Sequence, residues 1–312
     1  MVRVGALLCL ALFLGGCASR SPLLRDTLPT ADVGVELLDT PFFAQEAHQC
    51  GPAALATLMV AAGREVTPTQ LAKQVYLPAR EGSLQLELVA AARRQGLIPY
   101  AIDPDLRSLT AELAAGRPVL VLQNLGFDAF PVWHYAVVFG YDPLADTLSL
   151  RSGTERRKLM RASRFVSTWE RSEFWGLVVL HPGEFPAEVD PDRYLGAVAA
   201  MEATGQLAAA ATAYGAALER WPGDPVALLG FGNSQYGLGR LEQAKAAYQE
   251  LLKQHPGHVV GYNNLAQLLA DLGDYGQAEA KIDIGLALSR NDPRLRETLK
   301  ATRQEIFRHR RN

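Results

Sequence analysis

Cysteine is scarce in this chain of 312 residues: there are three, Cys9, Cys17 and Cys50. So few exclude a disulfide-stapled scaffold. Net charge is equally spare at −2, which points away from a nucleic-acid partner and from general binding to a charged membrane surface. The sequence shows no cluster of His, Cys, Asp and Glu at metal-ligand spacing and no phosphate-cradling glycine loop. Nor does it interleave aromatic with basic residues, so no metal, cofactor or nucleic acid is assigned. A membrane-spanning run is missing too. The apolar stretch at residues 4–14 is too short to cross a bilayer as a helix.

That stretch follows Arg3 and runs into Gly15-Gly16-Cys17-Ala18, the plan of a signal-peptide core with small residues at its end. Leu14-Gly15-Gly16-Cys17 resembles the bacterial lipobox. The resemblance implies removal of residues 1–16 and a lipid on Cys17, and Ala18 in place of Asp then implies an outer-membrane anchor facing the periplasm. Simple secretion after cleavage near Ala18 is the other reading. Residues 17–36, with Pro22 and Pro29 and no sustained period, are expected to be a tether. Cys9 would leave with the signal peptide and Cys17 would carry lipid. Cys50 then has no disulfide partner in an oxidising compartment, so its thiol must be shielded or used.

The sequence around Cys50 favours use. Pro52 suits a first helical turn, Leu55, Leu58, Met59 and Ala62 recur at helical spacing, and Gly63 ends the run. The sulfur is thereby expected at the positive end of a helix dipole, where a thiolate is favoured. A small buried hydrophobe is the plainer role of a free cysteine. Helices are further expected at residues 67–75, after Ser83 as N-cap, and at 108–115. Strands follow at 118–122, 133–141, 147–151 and 175–180, with a turn at 142–146. Helices before an antiparallel sheet argue for an α+β domain over residues 37–182, with a proline-rich linker at 183–190.

Beyond the linker the sequence repeats every 34 residues. Gly205, Gly239 and Gly273 are in phase, as are Ala210, Ala244 and Ala278, and Tyr214, Tyr248 and Ile282. This resembles the tetratricopeptide repeat, with units at 191–224, 225–258 and 259–292 and a charged capping helix after them. The first helices of such pairs form a concave face, on which Leu229, Asn233, Tyr236, Asn263, Gln267 and Asp271 are expected. These side chains either hold a protein partner or are merely solvated.

His134 is the partner expected for Cys50. It opens a strand whose alternate residues Ala136, Val138 and Gly140 are small, so its imidazole can stand at a sheet edge. The order Gln45…Cys50-Gly51-Pro52-Ala53-Ala54-Leu55, Gly82-Ser83-Leu84, Gly116-Arg117-Pro118 and His134-Tyr135-Ala136-Val137-Val138 resembles the bacteriocin-processing (double-glycine) cysteine peptidase family. That likeness covers about residues 40–180. It implies a papain-like fold, with Cys50 as nucleophile, His134 as general base and the Gln45 amide in the oxyanion hole. Gln49 is a weaker candidate for the same hole. The family's third member is an Asp, and this chain departs from it with Leu150-Arg151-Ser152-Gly153. Asp142 lies eight residues along the strand from His134, about 26 Å. A hairpin folded around Leu144 instead returns Ser152 to His134, and the Ser152 hydroxyl is expected to orient the imidazole.

Two readings follow. In one, a lipid-anchored periplasmic cysteine peptidase cleaves a peptide or isopeptide bond and its repeats recruit a substrate or partner protein. In the other, the peptidase-like domain is inactive and the chain is an envelope scaffold.

Overall fold

The computed structural model describes residues 23–27, 33–45 and 49–310. The expected signal peptide, Cys17 and His48 lie outside those residues. The first domain runs α1 (Leu23–Thr27), β1 (Val35–Glu36), α2 (Cys50–Ala61), α3 (Pro68–Val75), α4 (Gln85–Arg94), β2 (Ile98–Ala101) and α5 (Leu106–Ala114). It continues through β3 (Val119–Asn124), β4 (Trp133–Asp142), β5 (Thr147–Ser152), β6 (Glu155–Arg161), α6 (Ala162–Glu170) and β7 (Gly176–Leu180). The strands form one antiparallel sheet ordered β2-β7-β3-β4-β5-β6, with β1 also paired to β4.

The period of two along the central strands decides what covers each face. Leu120 and Leu122 of β3 and Tyr135 and Val137 of β4 pack with Leu55, Leu58 and Met59 of α2 and with Leu71 and Leu88 of α3 and α4. Val119, Val121, Ala136 and Val138 turn the other way, onto Leu109, Phe165 and Trp169 of α5 and α6. Helix α2 is buried on every side from Gly51 to Met59. It is therefore a fixed post against the sheet.

The structure departs from the sequence reading in several places: β2, β6 and α6 are not expected from the sequence. Ser83 does not cap α4; Leu84 holds the N-cap position, with no side-chain cap bond. Helix α5 begins earlier, because Asp105 accepts the Ser108 N–H at 2.7 Å and so sets the first turn. The segment expected to be a free tether packs onto the domain: Leu24 is fully buried, its N–H donates to Asp146 at 3.0 Å, and β1 pairs with β4.

Seven helices follow: α7 (Pro191–Ala203), α8 (Leu207–Arg220), α9 (Pro225–Gly237), α10 (Leu241–Gln254), α11 (Val259–Asp271), α12 (Tyr275–Leu288) and α13 (Pro293–His309). Asp190, Asp224 and Asp292 cap α7, α9 and α13, each followed by proline at the first helical turn. Gly205, Gly239 and Gly273 adopt φ of +81°, +73° and +81° just past α7, α9 and α11, where a side chain would be strained. The repeats are not held by a loose linker. Phe185 packs at a tilt on Tyr194 and edge to face on Trp221, Ala187 N–H donates to Glu112 at 2.7 Å, and Arg193 reaches Asp103 at 2.7 Å. One apolar cluster runs from Tyr100 and Leu109 through Tyr194, Val198 and Met201 to Tyr214, so the two parts share a core.

Candidate active site

Helix α2 opens at Cys50, so the thiol stands beside first-turn N–H groups that lack intrahelical acceptors. Cys50 is half-buried and not disulfide-bonded. It lines a cleft of about 840 Å³ together with Gln45, Ser83, Trp133, His134 and Tyr135. Gly51 permits this arrangement, since a Cβ there would come within 2.7 Å of the Ser83 side chain. Tyr135 supports the post from the sheet: its ring lies beside Gly51, and its hydroxyl donates to the Ser83 carbonyl at 3.2 Å.

His134 and Ser152 meet. The imidazole Nε2 lies 2.9 Å from Ser152 Oγ, which leaves Nδ1 as the nitrogen without that partner. Among the described residues no carboxylate is paired with the ring. Asp142 instead accepts the N–H groups of Leu144 and Ala145, and Asp146 accepts that of Leu24. Burial pushes the His134 pKa down to about 4, and the Lys158 ammonium pushes in the same direction. The resting imidazole is therefore neutral at pH 7. Among the described residues no hydrogen bond joins Cys50 Sγ to His134, although both face the same cleft.

Gln45 is tied down at three points. Its backbone N–H donates to the Gly153 carbonyl at 3.0 Å, its Oε1 accepts the Gly153 N–H at 2.9 Å, and its Nε2 donates to the Tyr135 carbonyl at 3.3 Å. Gly153 follows Ser152 and Tyr135 follows His134, so one amide clamps the neighbours of both hydrogen-bonded residues. One Nε2 hydrogen remains for the cleft. Gln49 sits at the N-cap of α2 and does not line the cleft. Lys158 and the clamping role of Gln45 escape sequence reading, because both depend on how the β5–β6 turn folds back on β4.

The other histidines lie elsewhere: His181 follows β7, His255 bonds the Gly223 carbonyl, and His258 caps α11. On the repeats, Asn233 and Asn263 spend their amides inside the solenoid. Asn233 bonds Glu202, Tyr248 and Asn264, and Asn263 bonds Asn264 and Thr302. Tyr236 and Gln267 both bond Asp271.

Residues 37–175 match the family model described as Peptidase_C39 like family, and residues 229–293 match that of the tetratricopeptide repeat. The class is thus a C39-like α+β domain joined to a helical solenoid. This chain joins an N-terminal region that matches the C39-like family model to a C-terminal run that matches the tetratricopeptide repeat.

Among solved structures, it is similar to a protein described as a C39-like peptidase from Bacillus anthracis, at 17% identity and TM-score 0.41, covering 48% of this chain and 98% of that one. The peptidase domain of Streptococcus ComA, a bi-functional ABC transporter, is 21% identical with TM-score 0.38, covering 45% and 98%. The Sgt2 tetratricopeptide domain from Aspergillus fumigatus is 20% identical with TM-score 0.35, covering 39% and 82%. No curated protein matches.

Proposed function

We propose that the chain is a cysteine peptidase that hydrolyses a peptide or isopeptide bond, with Cys50 as nucleophile and His134 as general base. The observation that carries this reading is one open cleft lined both by a thiol at a helix N-terminus and by an imidazole held through its far nitrogen. With Nε2–H donating to Ser152, Nδ1 takes the thiol proton as sulfur adds to the carbonyl. The same proton passes to the leaving nitrogen as the C–N bond breaks. Water, deprotonated by Nδ1, then releases the acyl group and restores the thiol. The Cys50 N–H and the free Gln45 Nε2 hydrogen serve the oxyanion. The repeats recruit a protein partner or the substrate itself.

The N-terminal sequence supports a lipid anchor on Cys17 and a periplasmic face of the outer membrane. Comparing envelope peptides from cells with and without Cys50→Ala tests the whole reading. Cleavage products that depend on Cys50 are expected; identical peptide sets would refute it.

A second reading, an inactive peptidase-like scaffold, draws on a specific observation: the imidazole Nε2 faces the Ser152 hydroxyl, and the ring feels the Lys158 charge. Catalytic hydrogen bonds often tighten only once substrate is bound, which favours the enzyme. Purified wild type that leaves every Cys50-dependent peptide uncut would favour the scaffold.

A further inference from the structure

The β3–β4 hairpin carries an apolar tip that the sheet does not use. Phe127 is 75% exposed and Phe130 79% exposed, with Leu125, Val132 and Trp133 also open to solvent. Apolar side chains gathered this way on a soluble surface mark an interaction site. Their display is built in. Asn124 Oδ1 accepts the N–H groups of Gly126 and Val132, Arg171 donates to the Gly126 carbonyl at 2.6 Å, and Phe127 and Phe130 pair through their backbones. Gly126 makes the turn possible, since a Cβ there would lie 2.3 Å from the Phe130 carbonyl oxygen. The tip cannot fold down to hide its rings without breaking these bonds.

We infer that this hairpin is a docking lip for an apolar segment of the polypeptide being cleaved, a step that rests on the peptidase reading above. Continuity with the cleft identifies the occupant. Trp133 belongs to both the apolar tip and the cleft wall and directly precedes His134, and half-exposed Leu84 lines the same cleft. A chain lying across Cys50 therefore meets apolar surface as it leaves the cleft. Asp128 is the tip's one charge, and Arg171 is committed to the hairpin carbonyls, so the lip selects apolar side chains rather than charged ones. A lipid surface fits less well. The chain enters the domain at Leu24, against Asp146, at the far end of β4, about 30 Å from Trp133.

The test uses the full chain with Cys50→Ala, so that binding is read without turnover, and two fluorescent dodecapeptides. They share length, charge and the same central dipeptide, one carrying Leu and Phe on both of its flanks and the other Ser at those positions. Fluorescence anisotropy is expected to show the apolar peptide binding about tenfold tighter or better. Phe127→Ser with Phe130→Ser should remove the preference while leaving the serine peptide unchanged. Those side chains are exposed, so far-UV circular dichroism should not move. Equal binding of both peptides, or a preference that survives the double substitution, overturns the inference. So does hairpin-dependent binding to phosphatidylcholine–phosphatidylglycerol vesicles, or to a second copy in sedimentation, in place of the peptide preference. If the variant shows this preference but the wild-type chain never hydrolyses the bound peptide, the peptidase reading alone is defeated. A chain that hydrolyses without the preference defeats the lip alone.

Discussion

Ser152→Asp should turn the resting imidazole towards its charged form. In the wild type His134 titrates at about 4, against about 6.5 for a free imidazole. That gap of about 2.5 pH units corresponds to roughly 3 kcal/mol in favour of the neutral ring. Ser152 Oγ sits 2.9 Å from Nε2, so an Asp there would place a carboxylate against the ring, which typically raises an imidazole pKa by about 1–3 units. His134 in the variant is expected at about 5–7. Two-dimensional NMR of the imidazole carbon-bound protons between pH 3.5 and 8 reads this directly, with His134→Gln identifying the signal. A wild-type midpoint near 6.5 would refute the burial argument. A midpoint that Ser152→Asp leaves unmoved would refute the assignment of Ser152 as the group facing Nε2.

Three further outcomes follow from the same contacts. Because the folded His134 pKa lies below the unfolded value, the unfolded chain binds the proton first. The associated stability is present above about pH 6.5 and fades as pH falls towards 4, about 3 kcal/mol in all; urea midpoints across that window should slope less in His134→Gln. Gln45→Ala removes the acceptor for Gly153 and the donor to Tyr135, so kcat should fall about 10²-fold or more. The His134 midpoint should also drift upward as the clamp loosens, which loss of an oxyanion donor alone would not cause. Asn233→Ala should cost about 1–3 kcal/mol of thermal or urea stability, because it leaves Glu202, Tyr248 and Asn264 short of a shared partner; an unchanged melting temperature would contradict that network.

How much was legible beforehand depended on whether the signal was periodic. Glycines and alanines in phase at 34 residues are set by close helix crossings, which is why the paired helices can be read without coordinates. Buried strands such as β3 announce themselves by apolar, β-branched residues. Edge strand β6, Glu-Arg-Arg-Lys-Leu-Met-Arg, does not, because charges protect an edge from stray pairing and make it read as a loop. Ser83 looked like a helix cap by residue type, yet the turn at Glu81, with φ of +47°, carries it towards Gly51 instead. Leu24 was unreadable as core because one buried leucine among prolines has no period. The Cys50 helix and the His134 strand were visible, whereas the Gln45 clamp and the Lys158 charge arise only from tertiary pairing.

The central claim is that Cys50 and His134 work as a pair, and the alkylation rate of Cys50 tests it most directly. Iodoacetamide labelling of the full chain at about pH 6, followed by mass spectrometry of the Cys50 peptide, should run about tenfold or more above a free thiol, because the neutral imidazole takes the thiol proton as sulfur attacks the reagent. That excess should vanish in His134→Ala. A rate equal to that of a free thiol, indifferent to His134, would contradict the account.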